Sequence, residues 1–244
     1  DVFGLAAPAP AAAAAVATAP PAILILLDMN GTLLHRERGK KVPNAAEAPF
    51  LNNNNTYYYM RPFAEELIGL LLRAEKGILS AAGEAPAPHP NAPRVQMGFY
   101  TSMQQSNAAP AVATLTGESA AQAKRRIYPR AFNVADPQGK NSWDTHRDLA
   151  GVWAAQGKVG FGFSEANTIM VDDTPRKMRH MPRNAFFVPE FNEEGVARGG
   201  DQALYHLIVS VENMLQRLAA ADWATAPPFD VRDHLANFPD LLKA

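Results

Sequence analysis

Cysteine is absent from this chain. Its absence excludes disulfides, thiolate nucleophiles and cysteine-ligated zinc, and it leaves the redox compartment open because a reducing compartment tolerates such a chain equally well. The six histidines do not supply a zinc site of the helical kind, since no two of them stand at i, i+4 spacing. We therefore assign no metal to cysteine or histidine.

The chain also lacks a long apolar segment and an excess of either charge. Its longest run of large aliphatic residues, Ile23 to Leu27, has five members, whereas a membrane-spanning helix needs roughly 20. The 23 basic and 24 acidic side chains nearly cancel to a formal net charge of -1, so no broad electrostatic field favours nucleic acid or an acidic membrane. We predict no transmembrane segment and no nucleic-acid partner.

Alanine and proline, by contrast, are concentrated at the start of the chain. Residues 1–22 hold eleven alanines and four prolines but no Lys or Arg, a composition that buries little side-chain surface and interrupts helices. We predict an extended arm, either a solvated tail or a segment lying along a partner. Because the first residue is Asp rather than Met, we expect a fragment or a processed chain, for which removal of a targeting peptide is one route.

The remaining sequence alternates between two kinds of apolar pattern. Stretches 23–27, 95–100 and 168–171 are continuous and aliphatic, as is typical of strands buried on both faces of a sheet. Helical patterns separate them, at 62–71, 108–115 and 148–155, and shorter strands are predicted at 56–60, 131–134 and 186–188. Strands that alternate with helices predict an α/β fold with a doubly wound parallel sheet.

The C-terminal part is helical only. Asp201 is placed to cap a helix whose apolar residues recur at i, i+3, i+4 and i+7, and a shorter helix is predicted after Asp230. We therefore divide the chain into the arm (1–22), an α/β domain (23–195) and a C-terminal helical extension (196–244).

Polar side chains follow three of the predicted buried strands. Asp28 comes directly after the first, Thr101 after the second, and the Asp172-Asp173 pair ends the third. Such ends meet at one edge of a parallel sheet, where ligands bind. A carboxylate there is able to attack phosphorus and form an aspartyl-phosphate if a divalent cation offsets the charge, and the acidic pair offers the ligands that Mg²⁺ prefers. Thr101 offers a hydroxyl to phosphate, although hydrogen bonding at a strand end explains it equally simply.

At this point the sequence resembles the haloacid-dehalogenase superfamily and, within it, the FCP-homology (NIF-domain) phosphatases that act on the C-terminal domain of RNA polymerase II. The resemblance covers about residues 23–191. It is carried by four segments and one further residue, namely Leu27-Asp28-Met29-Asn30-Gly31-Thr32-Leu33, Arg61-Pro62-Phe63, Phe99-Tyr100-Thr101-Ser102, the stretch from Ser164 to Pro175, and Asn184. The C-terminal helices resemble those of the ubiquitin-like-domain-containing member of the branch.

The resemblance implies a role for each matching residue. Asp28 would be the nucleophile and a magnesium ligand, and Asn30 would be a ligand through its backbone carbonyl. Thr101 would bind phosphate. Asp172 would be a metal ligand, with Asp173 beside it orienting the site. Mg²⁺ is the implied cofactor.

Two positions depart from the family's pattern. The family has a second aspartate two residues after the nucleophile as general acid and base, and this chain has Asn30. An amide cannot shuttle a proton, and loss of general acid-base help costs on the order of 10²- to 10⁴-fold in rate. The lysine that neutralises the transferring phosphoryl group has Arg147 as its closest counterpart, with Lys140 or Lys158 as displaced candidates. A solvated cation at a helix start is an equally simple explanation of Arg147.

Three functions follow from this mixture of retained and altered residues. The first is a catalytically impaired phosphatase-like domain with a binding or structural role, an accessory subunit of a mitochondrial assembly with a protein partner. The compartment is suggested by the missing initiator Met and by analogy with a presequence-translocase receptor of the same fold, and nucleus and cytoplasm are alternatives. The second is an active Mg²⁺-dependent protein serine/threonine phosphatase working through Asp28. The third is a reader that binds a phosphorylated protein segment without hydrolysing it.

Overall fold

The structure, a computed structural model, describes residues 19–79, 87–141, 144–156 and 162–237. Most of the predicted arm and Lys158 lie outside these ranges. The strands are β1 (Ala22–Leu27), β2 (Leu34–Arg38), β3 (Leu51–Asn53), β4 (Thr56–Met60), β5 (Arg94–Tyr100), β6 (Ile127–Tyr128), β7 (Asn133–Ala135), β8 (Thr145–Arg147), β9 (Thr168–Asp172) and β10 (Ala185–Phe187). The α-helices are α1 (Ala64–Glu75), α2 (Gln105–Thr116), α3 (Ala120–Arg125), α4 (Leu149–Gln156), α5 (Glu193–Arg198), α6 (Ala203–Ala220) and α7 (Val231–Leu235).

The main sheet has five parallel strands in the order β10-β9-β1-β5-β6, which confirms the predicted fold class. Its central strand is β1, in which Leu27 lies opposite Phe99 on one side and Val171 on the other. The chain builds the sheet outward from β1 in both directions, so the order of strands reverses there. The carboxyl end of β1 is therefore the topological switch point, where open α/β sheets bind ligands.

The continuous apolar run of β1 is explained by helices on both faces of the sheet. Every residue of the strand is buried. Ile23, Ile25 and Leu27 point into the larger core, which also holds side chains of α1, α2 and α6, whereas Leu24 and Leu26 point to the opposite side, toward α4. Because both faces are covered, no polar residue is needed in alternate positions. The domain boundary at residue 195 stays a prediction. Helix α6, which lies beyond that boundary, packs into the same core as β1.

The region between β1 and α1 forms a small antiparallel sheet in the order β2-β4-β3, of which only β4 was predictable from apolar pattern. Helix α1 begins at Ala64, after Phe63 in a left-handed conformation with φ of 67°. The helix predicted from residue 62 therefore begins two residues later, because the chain changes direction at Phe63 before the helix starts.

Two further boundaries differ from the sequence prediction. The strand predicted at 131–134 is divided between a 3-10 turn (Arg130–Phe132) and β7, which pairs with β8 as an antiparallel hairpin. The helix predicted from residue 108 already begins at Gln105. Among the described residues, no helix combines the length and apolar character needed to cross a bilayer.

Candidate active site

The carboxyl end of β1 brings together the three aspartates that the sequence marks. Asp28, Asp172 and Asp173 each offer a carboxylate oxygen, and these oxygens all lie within 4.8 Å of one another. Backbone pairing sets this distance, because the Asp28 N–H donates to the Val171 carbonyl at 2.9 Å and thereby continues the β1–β9 ladder past the last strand residue. Residues remote in sequence thus form one acidic cluster at the switch point.

Two cations lie against this cluster and divide its oxygens between them. Arg147 approaches Oδ1 of Asp28 with Nη2 at 2.8 Å and donates from Nε to Oδ2 of Asp172 at 3.0 Å. Lys177 Nζ lies 3.1 Å from Oδ2 of Asp28 and 3.7 Å from Oδ1 of Asp172. Both oxygens of Asp28 and both oxygens of Asp172 therefore have a positive charge beside them.

The pKa values of the three carboxyl groups differ because their neighbours differ. Burial opposes ionisation of Asp28, but Arg147 and Lys177 outweigh it and hold the pKa of that carboxyl below its ordinary value. Burial and then the charge of Asp28 raise the pKa of Asp172 to about 6. The same two causes raise the pKa of Asp173. Asp28 is thus the most firmly ionised carboxylate of the three, which is the state that its predicted role as a nucleophile requires.

The donor set fits a magnesium ion. Mg²⁺ prefers hard carboxylate oxygens, usually one or two, with water and phosphate oxygens completing an octahedron. Three carboxyl groups face only two cations, Arg147 and Lys177, so acidic side chains outnumber basic ones in the cluster. Asp28, Asp172 and Asp173 would hold the ion, which would offset the negative charge of a bound phosphate. The predicted role of the Asn30 carbonyl as a ligand stays a prediction.

The loop after Asp28 passes so close to the acidic pair that it requires glycine. Gly31 has φ of +86°, and a Cβ placed on it would lie 2.6 Å from Oδ2 of Asp173. Its neighbour Thr32 donates from Oγ1 to Oδ1 of Asp173 at 3.1 Å. The loop and the acidic pair are therefore in direct contact.

The side chain of Arg61 anchors this loop through hydrogen bonds to its backbone. Its side chain is completely buried and donates to the carbonyls of Gly31 and Thr32 at 3.4 and 3.1 Å. The same guanidinium pairs with Asp201 at 2.7 Å, just ahead of α6. The Arg-Pro segment of the sequence thus ties the loop after Asp28 to the C-terminal helices, a role that the motif alone does not reveal.

Arg147 is held in place by β7, β8 and β5 together. It ends β8, directly opposite Asn133 of β7, and donates from Nη1 to Oδ1 of Asn133 at 2.8 Å. Its guanidinium carbon lies 4.8 Å from the centre of the Tyr100 ring. The side chain is buried, so it is not a solvated cation at a helix start. Of the alternatives, Lys140 is exposed and Lys158 lies outside the described residues.

The side-chain oxygens of Thr101 and Asn30 each accept a hydrogen bond from a backbone N–H. The buried hydroxyl of Thr101 accepts from the Met103 N–H at 3.2 Å, which is the strand-end hydrogen bond considered above, and its role in binding phosphate stays a prediction. Asn30 is exposed, and its side-chain oxygen accepts from the Arg36 N–H at 2.9 Å. Asn30 also lines a cavity of about 400 Å³ together with Ser102.

Lys177 is a site residue that no motif predicts. Its signal in the sequence is the segment Thr174-Pro175, because proline favours the first turn of a helix. A single 3-10 turn, Pro175–Met178, follows Asp173 and brings the lysine back over the strand end. The position of the turn relative to β1, which decides the contact with Asp28, is not readable from local sequence.

A doubly wound α/β domain with a buried aspartate at its switch point and an acidic pair on the neighbouring strand is the arrangement of the haloacid-dehalogenase superfamily. Within it, the chain belongs to the NLI interacting factor-like phosphatase family, whose model matches residues 23–221. The match includes Asp28, the Arg61 segment and the Asp172-Asp173 pair, and it confirms the resemblance seen in the sequence.

Solved structures of an RNA polymerase II CTD phosphatase, Fcp1, are similar to the chain at low identity. A fission yeast variant bound to beryllium fluoride has a TM-score of 0.37 and 10% identity, with 82% of this chain and 51% of that chain covered. A second Fcp1 structure has a TM-score of 0.36 and 12% identity, with 93% and 60% covered. The chain therefore spans about half to three fifths of the length of these structures. No curated protein is significantly similar to it.

Proposed function

We propose that this phosphatase-like domain binds phosphorylated segments of proteins at the Asp28 site and is impaired in hydrolysing them. The observation that supports impairment is the identity of residue 30: Asn30 occupies the loop position where the family has its general acid and base. Localisation in mitochondria and membership of a larger assembly stay predictions of the sequence.

The chemistry of the first step explains why Asn30 matters. An oxygen of Asp28 would form a bond to phosphorus while the ester P–O bond breaks, and the departing serine or threonine oxygen then needs a proton. The Asn30 amide is not acidic enough to give up a proton, and its oxygen already accepts from the Arg36 N–H. Breakdown of the aspartyl-phosphate lacks a base for the attacking water for the same reason.

The surface beside the site supports a phosphorylated protein segment as the ligand. Two adjoining cavities, of about 400 and 270 Å³, share Ser102 and Arg130. Their walls also carry Arg36, Arg176 and Lys177. Among the charged side chains of these walls, the four cations outnumber the single carboxylate, Asp144, which favours an anionic ligand.

Phosphopeptide binding and turnover, measured on the same protein, test the proposal. Wild type with Mg²⁺ should bind a phosphoserine peptide more tightly than its unphosphorylated form while releasing almost no phosphate. Asn30→Asp should raise phosphate release by about 10²- to 10⁴-fold. The double variant that combines Asn30→Asp with Asp28→Asn is the matched control. It should release no phosphate, since the proposed nucleophile is gone.

The retained acidic cluster favours one alternative, an active Mg²⁺-dependent protein serine/threonine phosphatase. Three clustered carboxylates repel one another and have no evident purpose in a scaffold. Wild-type turnover that disappears in Asp28→Asn would establish this alternative and overturn impairment. Equal binding of both peptides would instead remove phosphate recognition altogether.

A further inference from the structure

Lys177 contacts two of the three carboxylates of the candidate magnesium site. Its ammonium contacts Oδ2 of Asp28 at 3.1 Å and Oδ1 of Asp172 at 3.7 Å, and these are two of the three carboxylates of the candidate magnesium site. The remaining oxygens of these two residues face Arg147. Each oxygen of Asp28 and Asp172 therefore has a cationic nitrogen 2.8 to 3.7 Å away, so a divalent cation that enters between these carboxylates meets the positive charge of a side chain.

The two side chains are not equally able to leave. Arg147 is fully buried, stacks on Tyr100 and donates to Asn133. Lys177 is 18% exposed and is carried by a single 3-10 turn. Its flexible stem can swing the ammonium toward the adjoining cavity, which Lys177 already lines. An entering cation would therefore displace Lys177 rather than Arg147.

We propose that Lys177 is a built-in competitor for the divalent cation. In the metal-free protein its ammonium neutralises Asp28 and Asp172, and the site admits Mg²⁺ only when Lys177 withdraws. The withdrawn ammonium then lies on the wall of the adjoining cavity, which Arg130 also lines, and adds there to the attraction for an anion. Metal binding and anion binding are thereby coupled through one side chain.

Calorimetric titration of the full chain with MgCl₂ alone tests this competition. Lys177→Met, which keeps most of the stem and removes the charge, should bind Mg²⁺ at least 10-fold more tightly than wild type. Lys124→Met removes an exposed charge from α3 and should leave the affinity unchanged. Unchanged or weaker binding in Lys177→Met would overturn the proposal.

Thermal unfolding with and without Mg²⁺ provides a second readout. Without the ion, Lys177→Met should melt below wild type because Asp28 and Asp172 have lost a counter-charge, and Mg²⁺ should raise its melting temperature more than that of wild type. Lys177→Gln serves the same purpose if the methionine variant does not fold. Equal Mg²⁺-induced shifts in wild type and variant would contradict competition. Neither experiment contains a phosphopeptide, so its outcome is independent of the function proposed above.

Discussion

Gly31 is the residue at which backbone conformation and site geometry impose the same requirement. Its φ of +86° disfavours any side chain, and the carboxylate of Asp173 fills the space that a Cβ would take. Gly39 has nearly the same φ, +85°, with nothing within 4 Å of the equivalent position. Substitutions at Gly31 and Gly39 therefore distinguish the destabilisation due to backbone strain from the additional destabilisation due to a steric clash.

We expect Gly39→Ala to lose about 1–2 kcal/mol of unfolding free energy, the strain of a left-handed alanine. Gly31→Ala should lose more, and it should also weaken Mg²⁺ binding because Asp173 must move. Urea unfolding and magnesium calorimetry on both variants measure the two effects. Equal losses of stability, with magnesium affinity intact, would show that Asp173 is not constrained by the loop.

Arg61 illustrates what a single buried charge does for its surroundings. It is completely buried, whereas its partner Asp201 is 22% exposed. Arg61→Met should destabilise the protein by about 3 kcal/mol, the low end for a buried pair broken on one side, because Asp201 stays partly hydrated. Arg198→Met, in an exposed i, i+4 pair with Glu194, should cost less than about 0.5 kcal/mol. Chemical denaturation of both variants gives the comparison, and similar losses would argue against the anchoring role of Arg61.

At the scale of elements, the parts that the sequence predicts are those whose pattern is local. β1 is recognisable because a strand covered on both faces becomes one aliphatic run that ends in a polar residue. β2 is not recognisable, since its residues Leu-His-Arg-Glu-Arg carry mostly charge and are half-buried through pairing with β4. Strand propensity and apolar periodicity do not predict a strand that forms only because a partner strand lies beside it.

The candidate site divides in the same way. Asp28, Asp172 and Asp173 are predictable because strand ends in a parallel sheet converge. The contact of Lys177 with Asp28 spans 149 residues and depends on the angle of one short turn. The bonds of Arg61 to Asp201 span 140 residues and depend on where α6 docks. Contacts of this kind follow from tertiary packing, which single-sequence patterns do not encode.

Helix α6 packs into the same core as β1 and α1. This packing can be tested without changing a residue of the candidate site. Leu207 is 1% exposed and belongs to the core that also holds Ile25 and Leu67. Leu207→Ala should cost about 2–5 kcal/mol, as for other leucine-to-alanine changes in cores. Tyr205→Ala, at an exposed position of the same helix, is the control. A cooperative, single transition in Leu207→Ala would show that α6 and the sheet unfold as one unit, whereas two transitions would support a separate C-terminal extension.

At the scale of the whole molecule, His234 makes stability depend on pH. The imidazole is buried between α7 and α6, 3.3 Å from the Ser210 hydroxyl. Burial and then the charge of Arg217 lower its pKa below the ordinary value. As the pH falls, the unfolded chain therefore takes up this proton first, so stability is lost as the pH falls through about 6.5 and below.

His234→Gln should accordingly show a smaller loss of stability between pH 7.5 and pH 5.5 than wild type. The difference between the two proteins isolates His234 from the carboxyl groups, which are present in both. Urea denaturation at the two pH values measures it, with His206→Gln on the exposed side of α6 as the control. Identical pH slopes in wild type and His234→Gln would refute the assignment.

The central position of β1 has a consequence for synthesis on the ribosome. β1 is the first strand of the main sheet to be made, yet its partner β9 follows only after most of the domain, as the 141-residue separation of Thr32 and Asp173 illustrates. At ordinary translation rates that interval is on the order of ten seconds. Throughout it, the nascent chain presents an apolar strand with an open edge, which is the kind of surface that chaperones cover. Asp28 meanwhile has neither its acidic partners nor its counter-charges, so a chain interrupted before β9 carries Asp28 without the rest of the cluster.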